Sequence, residues 1–292
     1  MGADYGERVD RSGRYRIAVA VGNPDHAEQL TRTAMDVARE RDGEVFVVGV
    51  LVKPQESPFA LFTDEVVTRK FGGERRAVLD RAMEVAAGSG VPVSGRLFVA
   101  DSVARGVLHA VEVTNCDCLL VGWQERNRES AVLGTNVDAL VRRASCDVLV
   151  EKIGAVADGV EAVLLPVAEG AHADLAASVA RAIAVANDAR VDLLRVVAGD
   201  HEGAEARGLL SRTADQLSDV EVETVVREGG VADAIVAESE RRDVTVLGAT
   251  RTGLVRRQFV GSIPQEVGRR ADGTVIMARK GDGSLVSRVF RL

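Results

Sequence analysis

The feature that most constrains this chain is an internal repeat. The first half opens with the aliphatic run RIAVAV (16–21), and the second half opens in the same way with AVLLPV (162–167). Each half closes with another aliphatic run, a glycine-containing loop, and a helical pattern that starts at Gly-Thr or Gly-Ser. A sequence of 292 residues with two such halves predicts two similar domains.

The spacing between matching positions locates an insertion. Gly122 matches Gly248 at an offset of 126, whereas Ile17 matches Val163 at an offset of 146. The first half must therefore carry about 20 extra residues before Gly122, and the candidate segment is 53–90, which contains a long charged helical pattern.

Each half contains five short aliphatic runs that alternate with helical patterns; the third runs lie near 93–99 and 220–227. Aromatic residues make up only 3% of the chain, so Val, Leu, Ile and Ala must fill the core. Such runs are typical of parallel strands buried on both faces. The predicted class is α/β, with two tandem Rossmann-like domains, each a five-stranded, mostly parallel sheet with helices on both faces.

The predicted domains are 14–153 and 162–280. Between them, the segment 154–161 is rich in glycine and small residues, which is typical of a linker. The tails, 1–13 and 281–292, receive no predicted role.

Composition excludes several classes of protein. The net charge of −7 argues against general nucleic-acid binding, which needs clustered Lys and Arg. No apolar stretch approaches the ~20 residues of a membrane span, so we expect no membrane insertion. The N-terminal segment is polar and lacks the apolar core of a signal peptide, so a soluble cytoplasmic protein is expected.

Reactive side chains show no catalytic pattern. We expect Cys116, Cys118 and Cys146 to be free, buried thiols. The four histidines are dispersed, and none stands in a recognisable nucleophile or metal motif. Ser102 is expected to cap the following helix. We therefore predict no catalytic residues and no metal site, with slow ATP hydrolysis left open.

The loop after the fourth strand of each half is the best candidate for ligand binding. Ligands of open parallel sheets bind beyond the carboxyl ends of the strands, and helix N-termini there attract phosphates. In the second half this loop runs from Gly248 to Gly261-Ser262. Its glycines allow close backbone approach to a ligand, and Ser262 is a candidate helix cap or donor to an oxyanion.

These motifs resemble the universal stress protein family, whose signature is glycine, two residues, glycine, nine residues, glycine, then Ser or Thr. The resemblance covers about 14–153 and 160–280 and implies an adenine nucleotide α-hydrolase-like fold, a role in the stress response, and ATP bound by the loop. The middle glycine of the signature is Arg251, with Gly253 two positions later. An arginine there either pairs with a phosphate or obstructs the backbone approach.

The first half departs further from the family pattern. Its middle glycine is Glu125, and a carboxylate repels phosphates. The family's glycine after the third strand is Ala100 here, and its Asp after the first strand is Gly22, or Ala168 in the second half. Trp123, beside the loop, would either stack on a base or fill a pocket or interface.

The resemblance therefore places a nucleotide in the second half. Its implied contacts are Pro166, Val167, Ala168 and Val197 for the adenine, and Gly229, Gly248, Arg251, Gly253, Gly261 and Ser262 for the ribose and phosphates.

Three functions follow from these observations. The first is a tandem universal stress protein that senses ATP or a related adenine nucleotide. The second is a nucleotide-free adaptor that regulates a membrane transporter, such as an amino-acid transporter, since the Arg251 loop resembles transporter-linked domains. The third, a slow ATPase, has least support, because no positioned base or metal carboxylates are visible. The family also implies an intramolecular pseudo-dimer that pairs 148–152 with 274–279, and leaves a homodimer open.

Overall fold

The computed structural model describes residues 13–53, 63–123, 134–153, 159–199, 202–249 and 262–282. Within these ranges, the first half holds five strands and five α-helices, with one turn of 3₁₀ helix at Pro24–His26. In chain order these are β1 (Arg16–Ala20), α1 (Ala27–Arg39), β2 (Glu44–Val52), α2 (Asp64–Phe71), α3 (Gly73–Ala86), β3 (Val93–Ala100), α4 (Val103–Thr114), β4 (Cys118–Trp123), α5 (Thr135–Arg143) and β5 (Asp147–Lys152).

The second half repeats this order with one helix fewer. Its elements are β6 (Ala162–Pro166), α6 (Ala171–Asn187), β7 (Arg190–Val197), α7 (Gly203–Gln216), β8 (Val222–Glu228), α8 (Val231–Ser239), β9 (Val244–Gly248), α9 (Ser262–Arg270) and β10 (Thr274–Arg279). Two helices, α2 and α3, stand where the second half has α7 alone, so the extra residues predicted for the first half include a helix.

The chain divides into two compact units. One contains the residues up to Gly122 and Thr135–Val148, and the other contains Leu149–Lys280 together with Trp123. The last four residues of β5 are thus counted with the second unit. The domain boundaries predicted from the sequence remain a proposal.

Both units contain parallel sheets in which the first strand is central. In the first unit the order is β3-β2-β1-β4, with β1 paired in parallel to β2 and β4. The second unit has the order β10-β9-β6-β7-β8, again with parallel pairs. The order in which the strands are added to the sheet therefore reverses at β1 and at β6, which confirms the predicted α/β class and locates a topological switch point in each unit.

Aliphatic side chains form the cores, as the scarcity of aromatic residues predicts. The central strands are fully buried at Ile17, Val19, Val163 and Leu164, and helices α1 and α6 bury mainly alanine and leucine against them. Small helical residues allow the helices to approach the sheet closely.

The third strand of the second unit differs from the expected buried run. Strand β8 lies at the sheet edge, and Glu223, Arg227 and Glu228 are exposed. Only one neighbouring strand covers β8, so its sequence tolerates charge that a central strand would exclude. Across the described ranges, no helix has the length and hydropathy needed to cross a bilayer.

Candidate functional site

Three of the predicted adenine contacts lie together at the end of β6. Pro166, Val167 and Ala168 line one small cavity, and the amide of Val167 continues the sheet by donating to the carbonyl of Leu194 at 2.8 Å. Helices α6 and α7 complete the walls. The cavity is also lined by Leu165 of β6 and by five residues of these helices, Ala173, Asp174, Ala177, Thr213 and Gln216.

This cavity is small. Its volume is about 20 Å³, which is room for roughly one water molecule. Ala168, Asp174 and Gln216 are exposed at its mouth, so it opens to solvent. A purine base at this strand end must therefore lie over the mouth, or the walls must move apart.

Val197 and Gly229 meet at the neighbouring strand end. Val197 is buried at the end of β7, and its carbonyl accepts a hydrogen bond from the amide of Gly229 at 3.2 Å. Gly229 has a φ of +121°, a conformation that other residues rarely adopt. This glycine turns the chain from β8 into α8, which begins without a side-chain cap.

Gly248 has a role that the sequence does not reveal. A Cβ on this residue would lie 2.9 Å from the backbone of His172 and Ala173, in the first turn of α6. The end of β9 and the start of α6 therefore touch through their main chains. Gly248 allows this contact, whether or not a ligand lies beyond it.

The remaining phosphate-loop predictions fall mostly outside the described residues. Arg251, Gly253 and Gly261 lie within 250–261, and Ser262 is the first residue of α9. The helix therefore starts where the signature predicts.

Two charged residues of β7, Arg195 and Asp192, make tertiary contacts that the sequence did not predict. Arg195 Nη1 donates to the carbonyl of Val167 at 3.2 Å, at the cavity wall. Asp192 is fully buried and accepts hydrogen bonds from Arg190 Nε at 3.1 Å and Arg242 Nε at 2.7 Å. The sequence does indicate that these residues have partners, because they place charges inside the aliphatic run ARVDLLRVV and a buried strand rarely carries an unpaired ion.

Helix α8 extends the ionic cluster around Asp192. Glu238 accepts hydrogen bonds from Arg242 Nη1 at 2.5 Å and from Arg227 Nε at 2.7 Å. Burial alone would raise the pKa of Glu238, but the bonds from Arg227 and Arg242 outweigh it and hold the pKa below its ordinary value. The cluster ties β7, β8 and α8 together.

In the first unit, an arginine from a helix lies at the corresponding strand end. The guanidinium of Arg75, on α3, donates to the carbonyl of Gly22 just after β1. Gly134 has a φ of +88° before α5, whereas Glu125 lies outside the described residues. Ser102 caps α4 as predicted, accepting from the amide of Arg105 at 3.4 Å.

Trp123 is a buried packing residue rather than an exposed stacking platform. Only 5% of it is exposed, and its ring lies 2.7 Å from where a Cβ on Gly268 would stand. Helix α9 therefore needs glycine at 268 to accommodate the indole.

The three cysteines form no disulfide; Cys116 and Cys118 are buried, as predicted, whereas Cys146 is only partly buried. Desolvation raises the pKa of Cys116 to about 11, although a hydrogen bond with Thr114 lowers it, and burial also raises the pKa of Cys118. Both thiols are protonated at neutral pH and poorly nucleophilic. Within the described ranges, no group of His, Cys, Asp and Glu is arranged to hold a metal ion.

Two histidines make tertiary contacts with their rings. His172 Nδ1 accepts a hydrogen bond from the amide of Lys280 at 2.9 Å, which joins the start of α6 to the end of β10. His109 is exposed on α4 and packs edge-on against Phe98.

Known proteins resemble the chain in sequence and fold. A Na⁺/H⁺ antiporter, NhaS5 of Synechocystis, is 21% identical over 145 residues; the match covers 49% of this chain and 20% of the antiporter. This chain thus spans about a fifth of that relative's length.

Several solved structures match nearly the whole chain. A universal stress protein from Archaeoglobus fulgidus superposes with a TM-score of 0.65 at 16% identity, covering 92% of this chain and 97% of that one. The cytoplasmic domain of a prokaryotic cation chloride cotransporter superposes with a TM-score of 0.61 at 12% identity, covering 95% and 100%. At these identities, the likeness concerns the fold.

The family model of universal stress proteins matches residues 14–152 and 198–279, which is most of the chain and part of each half. Together with the tandem α/β units and the helices that begin at Thr135 and Ser262, this match settles the family. The chain belongs to the universal stress protein family.

Proposed function

We propose that this chain is a cytoplasmic regulatory protein of the stress response that senses ATP or a related adenine nucleotide through its second unit. Family membership over both halves supports the regulatory role. The observation that carries the choice of unit is the meeting of Pro166, Val167 and Ala168 around one solvent-open cavity at the switch point of that sheet.

The order of elements supports a nucleotide that extends across the strand ends. The base would lie over the end of β6, and the phosphates would reach the N-terminus of α9, where helix amides and the helix dipole favour anions. Arg251 would contribute a guanidinium to the phosphates. The first unit is the poorer candidate, because Glu125 and Ala100 stand where the family pattern has glycine.

Nucleotide release and calorimetry test this proposal. Purified protein is denatured and searched for released nucleotide by chromatography, and the nucleotide-free protein is then titrated with ATP. We expect saturable heat for the wild type and its loss in Gly261→Val. Gly134→Val, the matched change in the first half, should keep the ATP heat provided that circular dichroism shows a native fold.

We propose sensing without turnover. Among the described residues, no group of His, Cys, Asp and Glu is arranged to hold the metal ion that phosphoryl transfer ordinarily uses. Phosphate release measured during the same titration should stay at the rate of ATP alone, and release that Gly261→Val abolishes would instead establish an ATPase.

A nucleotide-free adaptor for a membrane transporter is the second candidate. The match to the Na⁺/H⁺ antiporter favours it, and the fold also occurs as the cytoplasmic domain of a cation chloride cotransporter. If no nucleotide is released and millimolar ATP produces no heat, the sensing proposal is wrong and the adaptor is retained.

A further inference from the structure

Strand β8 has one side without a partner strand. It is the last strand in the order of its sheet and pairs in parallel with β7. Across the described part of the chain, no strand pairs with its other side. Five of its seven residues are exposed, and the apolar Val226 is among them. A free edge of this kind offers backbone donors and acceptors to another strand.

The hydrogen bonds to β7 decide which residues of β8 face the free side. The carbonyl of Glu221 accepts from the amide of Val191 at 2.8 Å, and the amide of Gly229 donates to the carbonyl of Val197 at 3.2 Å. Odd-numbered residues thus turn their backbone groups toward β7, since the direction of these groups alternates along a strand. The backbone groups of the even-numbered residues of β8 therefore point to the free side.

Thr224 and Val226 present such backbone groups in the middle of the edge. Neither of their amides has an acceptor among the described residues. The carbonyl of Val226 accepts from Arg227 Nη1 at 3.2 Å. Because a carbonyl oxygen accepts two hydrogen bonds, this contact leaves room for one more. An added strand would therefore find donors and acceptors at both residues.

A second copy of β8 matches this edge when it runs antiparallel. If Thr224 lies opposite Val226 of the second copy, then Val222 lies opposite Glu228 and all seven residues of the two strands overlap. These opposed residues are even-numbered, so their outward amides and carbonyls can exchange hydrogen bonds. The exposed side chain of Val226 would then lie beside the methyl group of Thr224, as in other cross-strand pairs.

The charges of β8 are complementary in this register. Glu223 lies opposite Arg227 of the second copy, and the two-fold symmetry repeats the pair. Opposed odd-numbered residues exchange no backbone hydrogen bonds, and side chains approach most closely in such pairs. Arg227 is 49% exposed; Glu238 holds its Nε, and its Nη2 makes no hydrogen bond within the described ranges. Each copy can therefore add one ion pair to the interface.

The free edge of the first unit lacks this property. Strand β3 is the terminal strand of that unit, and Arg96 is its only charged residue. No antiparallel register between β3 and its own copy places opposite charges together. Complementarity to a second copy is therefore particular to β8 and does not follow from its edge position alone.

We propose that two copies of this chain associate through β8, antiparallel and in the register that places Glu223 opposite Arg227. The sheet of the second unit then continues from one copy into the other. This surface goes beyond nucleotide sensing and does not depend on it, because it uses neither the cavity at the end of β6 nor the loop at 250–261. A single strand pair buries little surface, so the dimer is weak and forms in concentrated protein.

Sedimentation equilibrium of the full chain tests the association, over a concentration series that reaches the millimolar range. We expect the wild type to pass from monomer to dimer. Thr224→Pro removes one outward amide and leaves the hydrogen bonds between β7 and β8 in place, so this variant should fold and remain monomeric. Thr224→Val keeps the amide and is the matched control, which should associate like the wild type.

Exchange of charges tests the register. Glu223→Arg should weaken the dimer about tenfold, because like charges would then lie directly opposite each other, and Arg227→Glu should do the same. An equimolar mixture of the two variants should associate, since both of its cross-strand pairs join opposite charges. Glu221→Arg is the matched control: Glu221 lies opposite Gly229 in this register, so the same change of charge should leave the dimer intact.

Four results would overturn the proposal. They are a wild type that stays monomeric throughout the series, a dimer that survives Thr224→Pro, a loss in Glu221→Arg equal to that in Glu223→Arg, and a mixture of folded charge variants that does not associate. Circular dichroism checks the fold of each variant. Arg227 also binds Glu238, so Thr224→Pro and Glu223→Arg decide the outcome if Arg227→Glu does not fold.

Discussion

The two units fill the same internal position with different chemistry. In the first unit, Phe46 on β2 meets Phe98 on β3 with ring centroids 6.4 Å apart and an interplanar angle of 75°. His109 of α4 packs edge-on against Phe98 at 6.1 Å. We call this the aromatic cluster. Edge-to-face contacts of this kind stabilise a core beyond the area that they bury.

In the second unit, the equivalent positions carry ions. The strand register makes Phe46 equivalent to Asp192 and Phe98 equivalent to Arg227. In both units, the second strand pairs with the first, and the third strand pairs with the second, at corresponding residues. The ionic cluster consists of Asp192 and Glu238 bridged by Arg242, with Arg190 and Arg227 at its ends.

The difference teaches that the same backbone position accepts either an aromatic ring or a carboxylate, provided that the carboxylate is paired with arginines. The aromatic cluster tolerates the loss of part of its volume gradually, since each lost contact is small. The ionic cluster does not, because removing one buried partner leaves the opposite charge desolvated and unpaired. The predictions below test this contrast.

Breaking the ionic cluster should have the largest effect. Asp192→Ala leaves the buried Arg242 without this carboxylate partner and should lower the free energy of unfolding by about 3–5 kcal/mol. Urea unfolding followed by the fluorescence of Trp123, which is counted with the second unit, measures this loss.

Arg190→Met is the control for that change. Arg190 contacts the same carboxylate, but 37% of its side chain is exposed. Its loss should cost less than about 1 kcal/mol. Equal losses in the two variants would contradict the idea that burial of Asp192 makes the cluster sensitive.

Truncating the aromatic cluster should cost somewhat less. Phe46→Ala removes a ring from the core of the first unit and should destabilise it by about 3 kcal/mol, whereas Phe46→Leu should cost about 1 kcal/mol. Circular dichroism during urea unfolding gives both values. If Phe46→Leu were as damaging as Phe46→Ala, graded tolerance would be wrong.

The two signature glycines provide a sharper comparison. Gly248→Ala pushes a methyl group against the backbone of α6 and should cost about 1–3 kcal/mol. Gly122→Ala places its Cβ 3.0 Å from a methyl group of Leu30, a side chain that can turn away, and should cost less than 1 kcal/mol. Thermal unfolding of both variants checks the order, and a reversed order would refute the packing role of Gly248.

The helices that follow the third strands differ in their caps. Ser102→Ala removes the side-chain cap of α4 and should cost about 1 kcal/mol. Ser102→Thr keeps the hydroxyl that accepts this hydrogen bond, so its effect should stay within about 0.5 kcal/mol. Matched midpoints for the two variants would show that the Ser102 bond contributes nothing.

Mild acid should weaken the ionic cluster, and this is the smallest of the expected effects on stability. The pKa of Glu238 in the folded chain lies below its ordinary value of 4.5, so its ionised form stabilises the fold above that pH. This contribution should decline as the pH falls below 4.5 toward the folded value. Urea unfolding between pH 6 and 3.5 should show a shallower decline in Glu238→Gln than in the wild type; identical declines would count against it.

The repeat and the order of elements could be predicted from the sequence. Aliphatic runs at 16–21 and 162–167 became β1 and β6, and the difference in offset between the halves became the extra helix α2. Such features depend on hydrophobic runs and on the turn and cap residues between them, which are properties of local sequence. The start of α9 at Ser262 was predictable for the same reason.

The partners of charged residues could not be predicted in this way. Asp192 meets Arg242, which lies 50 residues away, and Arg195 meets Val167 across a strand pair. The sequence identifies charges inside a strand, but their partners depend on which helix packs on which face of the sheet. Only the folded chain decides whether such a charge is paired or has a donor left over.

Gly248 shows the same division at a single residue. The sequence alone determined that a glycine stands at the end of the fourth strand, where the predicted ligand loop begins. Tertiary structure decided that this glycine also admits the backbone of α6, because close contact between main chains depends on where the helix crosses the strand end. That crossing follows from packing across the whole unit, which no local pattern encodes.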